Sequence, residues 1–224
     1  MGWWSGTVLP RLVDRLCGDE QVAALRAELV PQARGTVLEV GFGTGLNLPF
    51  YDPERVERVL GLEPADEMFA LSRRRAPVPF PVERIALEGE RIPLPAESVD
   101  TVVVTFTLCS IPDVARALAG MRRVLRREGR LLFVEHGAAR DPRVRRWQER
   151  VNPLWRRALG GCQLNRDVPA LLRAADFAIE SLREEAVAGA PAIAAYTYRG
   201  MARPGAAASP AGGPIDSRCT TSSP

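Results

Sequence analysis

Residues 37–47 read Val-Leu-Glu-Val-Gly-Phe-Gly-Thr-Gly-Leu-Asn, a branched apolar run that ends in three glycines at alternate positions. Such a run suits a strand buried on both faces, as in a parallel sheet. Glycines at its end let the backbone turn sharply and pass close to a ligand with no Cβ in the way. The same texture continues downstream. Strands are predicted at Thr36–Val40, Val56–Leu62, Val82–Leu87, Val99–Thr105, Leu131–His136, Ile179–Ala186 and Ile193–Arg199. Helices are predicted at Asp66–Arg75, Val114–Arg127 (closed by Gly129), Arg143–Leu159 and Val168–Ala175. Strand and helix in alternation imply a sheet covered on both faces. The expected fold is α/β and Rossmann-like, with seven mostly parallel strands. Only about six residues, Val187–Ala192, separate the last two strands, too few for a helical crossover, so the final strand should run antiparallel.

Upstream, Leu9, Leu12, Val13 and Leu16 recur at helical spacing, as do Val22, Leu25, Leu29 and Val30. Residues 1–34 are therefore expected to form a helical lid in front of a domain spanning 35–203. Residues 204–224 are small, polar and proline-rich, the composition of a disordered tail. The 224 residues, 46% of them apolar, suffice for a single core. The formal charge of +3 comes from arginine alone, since the chain contains no lysine, and the arginines are interleaved with acids. That pattern argues against a nucleic-acid-binding face. Cys17, Cys109, Cys162 and Cys219 lie far apart in sequence, and His136 is the only histidine, so no metal site is expected. No apolar run reaches the roughly 18 residues of a membrane span, and the start lacks the basic region of a secretory signal. A cytoplasmic protein is expected.

The glycine spacing, Gly41-x-Gly43-x-Gly45, departs from the GxGxxG fingerprint of dinucleotide sites, and no GK[ST] follows as in a phosphate loop. Glu39, two residues before Gly41, is a poor neighbour for a pyrophosphate and a good one for a cationic ligand. S-Adenosylmethionine, which carries an ammonium and a sulfonium, meets that requirement.

With these residues the chain resembles the class I S-adenosylmethionine-dependent methyltransferases, and further segments follow in that family's order. Glu63 ends the second strand in "VLGLEPADEM"; "ALEGERIPLPAESVDTVVVTF" resembles the passage from third to fourth strand; "MRRVLRREGRLLFVEHG" resembles the approach to the end of the fifth. The segments "TFTLCSIPD", "FVEHG", "WQERVNPLWRRALGGCQLNRD" and "YTYRGMA" further resemble a bacterial branch of the type-11 group, related to methyltransferase-like proteins that methylate alkyl thiols. Those relatives carry an apolar amino-terminal anchor, where this chain has only Trp3, Trp4, Val8 and Leu9.

The resemblance implies S-adenosylmethionine as cofactor, contacted by Glu39, Gly41, Gly43, Gly45, Asn47 and Thr105 around the loop. It implies that Glu63 receives the ribose hydroxyls, that Met68 packs near the adenine, and that Glu88 and the Gly89 N–H meet its edge. Glu63 and Glu88 stand where the family more often has aspartate. His136, at the end of the fifth strand, is the candidate catalytic residue, since its ordinary pKa of about 6.5 suits a proton acceptor. Cys109 falls near the expected methyl-transfer region. Gly160, Gly161, Cys162, Asn165 and Arg166 shape the acceptor pocket, or else end a helix with Arg166 paired to Asp167 or Glu149. Arg143–Arg157 reads as an amphipathic lid helix with Trp147 and Trp155 turned to the pocket. The implied activity is methyl transfer to a small molecule, with a thiol sulfur as the leading acceptor. A lipid amine or quinone precursor at a membrane surface, or a non-catalytic binding module, is the alternative. Nucleic acid is not expected as a partner, and peripheral membrane contact is compatible with the two leading tryptophans.

Overall fold

The computed structural model describes residues 14–205 except Leu16 and Ala76. The predicted first helix therefore falls mostly outside the described residues, as does the tail beyond Gly205. Helix α1 (Glu20–Leu29) precedes β1 (Gly35–Val40), β2 (Val56–Leu62), α2 (Asp66–Ser72), β3 (Val82–Ile85) and β4 (Val99–Thr105). Then come α3 (Val114–Val124), β5 (Leu125–His136), α4 (Pro142–Ala158), α5 (Val168–Ala174), β6 (Phe177–Ala186), α6 (Ala192–Ala195) and β7 (Tyr196–Pro204). The strands form one seven-stranded sheet in the order β3-β2-β1-β4-β5-β7-β6. Strand β7 pairs antiparallel with both β5 and β6, and the other neighbouring pairs are parallel.

Alternating side chains of the central strands feed two cores. Leu38, Val40, Val102, Val104, Leu131 and Phe133 face α3 and α5, meeting Ala117, Leu118, Met121 and Leu172. Val37, Val103, Leu132 and Val134 face the other way, onto Leu25, Leu29 and Val30 of α1 and its following turn. Asp113 caps α3 by accepting from the Arg116 N–H, and Asp141 and Asp167 cap α4 and α5 in the same manner.

Several predicted boundaries shift: α2 ends at Ser72 rather than Arg75, β5 begins at Leu125 rather than Leu131, β6 at Phe177 rather than Ile179, and β7 runs on to Pro204 rather than Arg199. Helix α3 stops at Val124, because Leu125 is already extended and pairs with Val99. Gly129 therefore sits within the irregular start of β5, where a Cβ would crowd the Leu125 side chain and the carbonyls of Arg126 and Asp100. Strand β3 ends at Ile85 rather than Leu87. The last strand begins at Tyr196, not Ile193, because residues 192–195 make a short helical turn after Pro191.

Gly200 of β7 lies where β6 is irregular, between Ile179 and Ser181, and a Cβ there would land on the Ser181 carbonyl. Backbone cannot yield as a flexible side chain does. Gly200→Ala is expected to destabilise the protein by about 2–3 kcal/mol, at the upper end of overpacking costs. Thermal unfolding should show the midpoint falling by about 4–12 °C.

Candidate active site

The strand order reverses between β1 and β4, the place where open α/β sheets bind ligands beyond their carboxyl ends. A cleft opens there. Glu39, Gly41, Gly43, Asn47, Glu63, Met68 and Thr105 line it, so the fold gathers seven of the residues singled out in the sequence.

The glycine turn is built on left-handed backbone, with φ of 73°, 56° and 73° at Gly41, Gly43 and Gly45. A Cβ on Gly41 would strike the Thr107 side chain, whereas one on Gly43 would meet nothing closer than an ordinary contact with the Met68 methyl at 3.6 Å. The Gly43 N–H donates to Glu63 Oε2 at 2.9 Å, and the Ala65 N–H donates to Oε1 at 2.9 Å. Burial raises the Glu63 pKa, partly offset by these two donors.

Glu39 is the centre of a buried polar network. Asn47 Nδ2 donates to its Oε1 at 2.9 Å and the Tyr51 hydroxyl donates to its Oε2 at 2.6 Å. The Asn47 amide also donates to Thr105 Oγ1 at 3.0 Å and accepts from Arg26 Nε at 3.0 Å. Arg26 is itself 3% exposed, donates to the Cys17 carbonyl at 2.6 Å and lies over the Phe106 ring. Asp14 closes the rim, pairing with Arg75 at 2.6 Å and accepting from the Thr44 hydroxyl. Arg26, Tyr51 and Asp14 were not singled out in the sequence. For Arg26 the available signal was a charge set inside the apolar stripe of α1.

Gly45, Glu88, Gly89 and His136 lie outside the cleft lining. A Cβ on Gly45 would meet Ser72 at 2.9 Å, and one on Gly89 would meet Ile111 at 2.8 Å, near Val40. Glu88 is exposed. His136 Nε2 stands 3.0 Å from Cys162 Sγ, and the Trp155 Nε1–H points to the same sulfur at 3.3 Å. Trp155 thus turns inward, towards Cys162 rather than the cleft lining, and Trp147 turns outward: it is 56% exposed, with Arg150 against its ring. Arg166 does not pair with Asp167 or Glu149; its guanidinium donates to the carbonyls of Leu108 and Ile111. Opposite it, Glu135 Oε1 accepts the N–H groups of Thr107 and Leu108 at 2.6 and 2.8 Å, fixing the turn after β4.

Residues 38–133 match the methyltransferase domain family. The chain is 34% identical over 170 residues to the human thiol S-methyltransferase TMT1A, covering 71% of this chain and 70% of that protein. It is 37% identical over 113 residues to a phosphatidylethanolamine N-methyltransferase of Cereibacter sphaeroides, covering 46% and 52%. Among solved structures it resembles the YcgJ protein of Bacillus subtilis, with a TM-score of 0.64 at 17% identity over 84% of this chain and 99% of that one.

Burial pushes the Glu39 carboxyl up to about 7, against the lowering influence of Tyr51, Asn47 and Arg26. The folded state therefore holds a proton that the unfolded chain releases at the ordinary carboxylate value. This contribution to stability is complete below that value and is lost as pH rises towards about 7. Melting Glu39→Gln beside the wild type at about pH 5 and about pH 8 should show the wild type losing ground at the higher pH.

Proposed function

This chain belongs to the class I S-adenosylmethionine-dependent methyltransferases, and from that premise we propose that its acceptor is the sulfur of a small thiol. The observation that carries the reading is the 34% identity to a thiol S-methyltransferase over most of both chains. S-Adenosylmethionine is the cofactor, and its sulfonium supplies an already activated methyl group. The cleft suits it in three respects: Gly43 lines it with backbone that carries no Cβ, two buried carboxyls face a cationic ligand, and Met68 offers an apolar wall.

In this reading Glu63 accepts the two ribose hydroxyls through oxygen lone pairs left free by Gly43 and Ala65. Asn47, held by Glu39, Arg26 and Thr105, presents the amino-acid end of the cleft with a fixed dipole. Gly41, Gly43 and Gly45 keep the turn open, while Gly89 and Glu88 stand beyond Val40 at the adenine end. The protein's contribution is positioning and exclusion of water, because the donor is pre-activated. His136 serves on the acceptor side, next to Cys162. A thiol reacts as thiolate from a pKa of about 8.5, so it requires only modest help with deprotonation.

A second reading, methylation of a lipid amine or quinone precursor at a membrane surface, draws on one feature of α4. Trp147 and Leu154, 56% and 73% exposed, lie seven residues apart on an arginine-rich helix. Such a face suits an anionic lipid interface. Among the described residues no helix is long and apolar enough to cross a membrane.

Purified protein given S-adenosylmethionine and a simple alkyl thiol is expected to release S-adenosylhomocysteine in a thiol-dependent manner. Glu63→Ala should weaken cofactor binding about 10–100-fold, as for loss of hydrogen bonds to a charged acceptor. No release above background from cofactor-binding protein would sink the thiol assignment. Flotation with phosphatidylglycerol vesicles separates the second reading, which requires binding that Trp147→Ala and Leu154→Ala together abolish.

A further inference from the structure

Three side chains with no partner role in the cleft converge beside it. Cys109 follows β4, His136 ends β5, and Cys162 lies in the loop after α4. The two sulfurs and one imidazole nitrogen lie within 4.8 Å of one another. Each donor is held from several directions. The Cys109 carbonyl accepts from the Gln163 N–H at 3.0 Å, tying the β4 turn to the Cys162 loop. Arg166 clamps the carbonyls on either side of Cys109. Trp155 closes over the Cys162 sulfur, and β5 fixes the His136 backbone by pairing it with Thr197. His136 Nδ1 is buried with no hydrogen-bond partner, which leaves the ring unusually dependent on what its Nε2 meets. Cys109 is buried, while His136 and Cys162 are partly exposed.

We propose that Cys109, His136 and Cys162 form a zinc-class metal centre whose fourth position takes the acceptor thiol. Two thiolates and one imidazole are soft-to-borderline donors, suited to a tetrahedral divalent zinc-type ion and unsuited to magnesium or calcium. Three protein ligands with one open position are the pattern of reactive rather than purely structural zinc. From metal–sulfur and metal–nitrogen bonds of about 2.3 and about 2.1 Å, two donors of such a site stand about 3.6 Å apart. The hydrogen-bonded His136–Cys162 pair at 3.0 Å thus has to open by only about half an ångström. The location is suitable: Ser110, whose hydroxyl is 3.5 Å from the Cys109 sulfur, lines the cofactor cleft.

This inference rests on the thiol reading above for its substrate, and the chemistry balances. On binding the metal, the thiol loses its proton to solvent and stays as a coordinated thiolate. Its sulfur then forms a bond to the methyl carbon as the carbon–sulfonium bond breaks, and that bonding pair remains on the donor sulfur. The thioether product is uncharged and a weaker ligand, so it leaves the metal. His136 is then a ligand rather than a proton acceptor.

The test uses the full chain, stripped with chelator and titrated with cobalt(II) without oxygen. One equivalent should produce a near-ultraviolet thiolate-to-cobalt band and the visible bands of a tetrahedral ion. Cys109→Ser, His136→Gln and Cys162→Ser should each weaken cobalt binding at least 100-fold, beyond the about 10–100-fold cost of losing an outer-shell partner. Circular dichroism of each variant checks that it is folded. Adding an alkyl thiol should shift the visible bands as it enters the fourth position. Substoichiometric cobalt, or a spectrum indifferent to Cys162→Ser in folded protein, would overturn the centre. Undiminished thiol turnover in metal-free protein would overturn it too while leaving the thiol acceptor standing. A cobalt spectrum that no thiol moves would overturn coordination of the acceptor, whatever the turnover assay says.

Discussion

A carboxyl group buried near the end of β1 governs this structure. An unpaired charge at Glu39 would cost several kcal/mol in so dry a place. The fold meets that cost by surrounding it with donors from separate elements: Tyr51 from the turn after the glycine loop, and Asn47 from the loop itself. Asn47 in turn recruits Arg26 from α1 and Thr105 from β4. Satisfying one acid therefore locks the glycine turn, the helix that covers it and the neighbouring strand into a single arrangement. The cleft is the space this arrangement leaves.

Much of this was legible in the chain because its causes are local. Branched apolar runs name the strands, a glycine at every second position names the turn, and acids at strand ends name the ligand-facing positions. What stayed hidden depends on non-local geometry. Nothing near Arg26 says that its guanidinium will meet Asn47, and Cys109, His136 and Cys162 are far apart in sequence and brought together only by the pairing of β4 with β5 and the fold-back of the loop after α4. Local signals also lost where a tertiary partner outbid them. The helical pattern running to Arg127 yields to the pairing of Leu125 with Val99, so Gly129 serves a crowded strand rather than a helix end. Trp147 shares its helix with Trp155 but not its facing, because the inward stripe is taken by Gln148 and Asn152. Gln148 bolts α4 to the backbone of Gly137, Ala139 and Ile193 through three hydrogen bonds.

The turn after β4 joins the two halves of the site. Its Thr107 and Ser110 line the cleft, its Cys109 belongs to the sulfur–imidazole cluster, and Glu135 and Arg166 hold it from the two sides. Glu135 and His136 are consecutive on β5, so one face of that strand end supports the turn while the other meets Cys162. A displacement of this one segment would be felt both in the cleft and in the sulfur–imidazole cluster.

Strand β7 enters the sheet last in sequence but not at its border. It is wedged between β5 and β6, with a full antiparallel ladder to each. On the ribosome, β6 emerges with no neighbour to pair with, and β5 waits with one flank bare. Neither is completed until residues 196–204 clear the exit tunnel. The nascent chain thus carries an open strand edge from β5 until β7 arrives, a liability for sticking to its own copies. Completion of the β5 and β6 edges is withheld until β7 can pair with both.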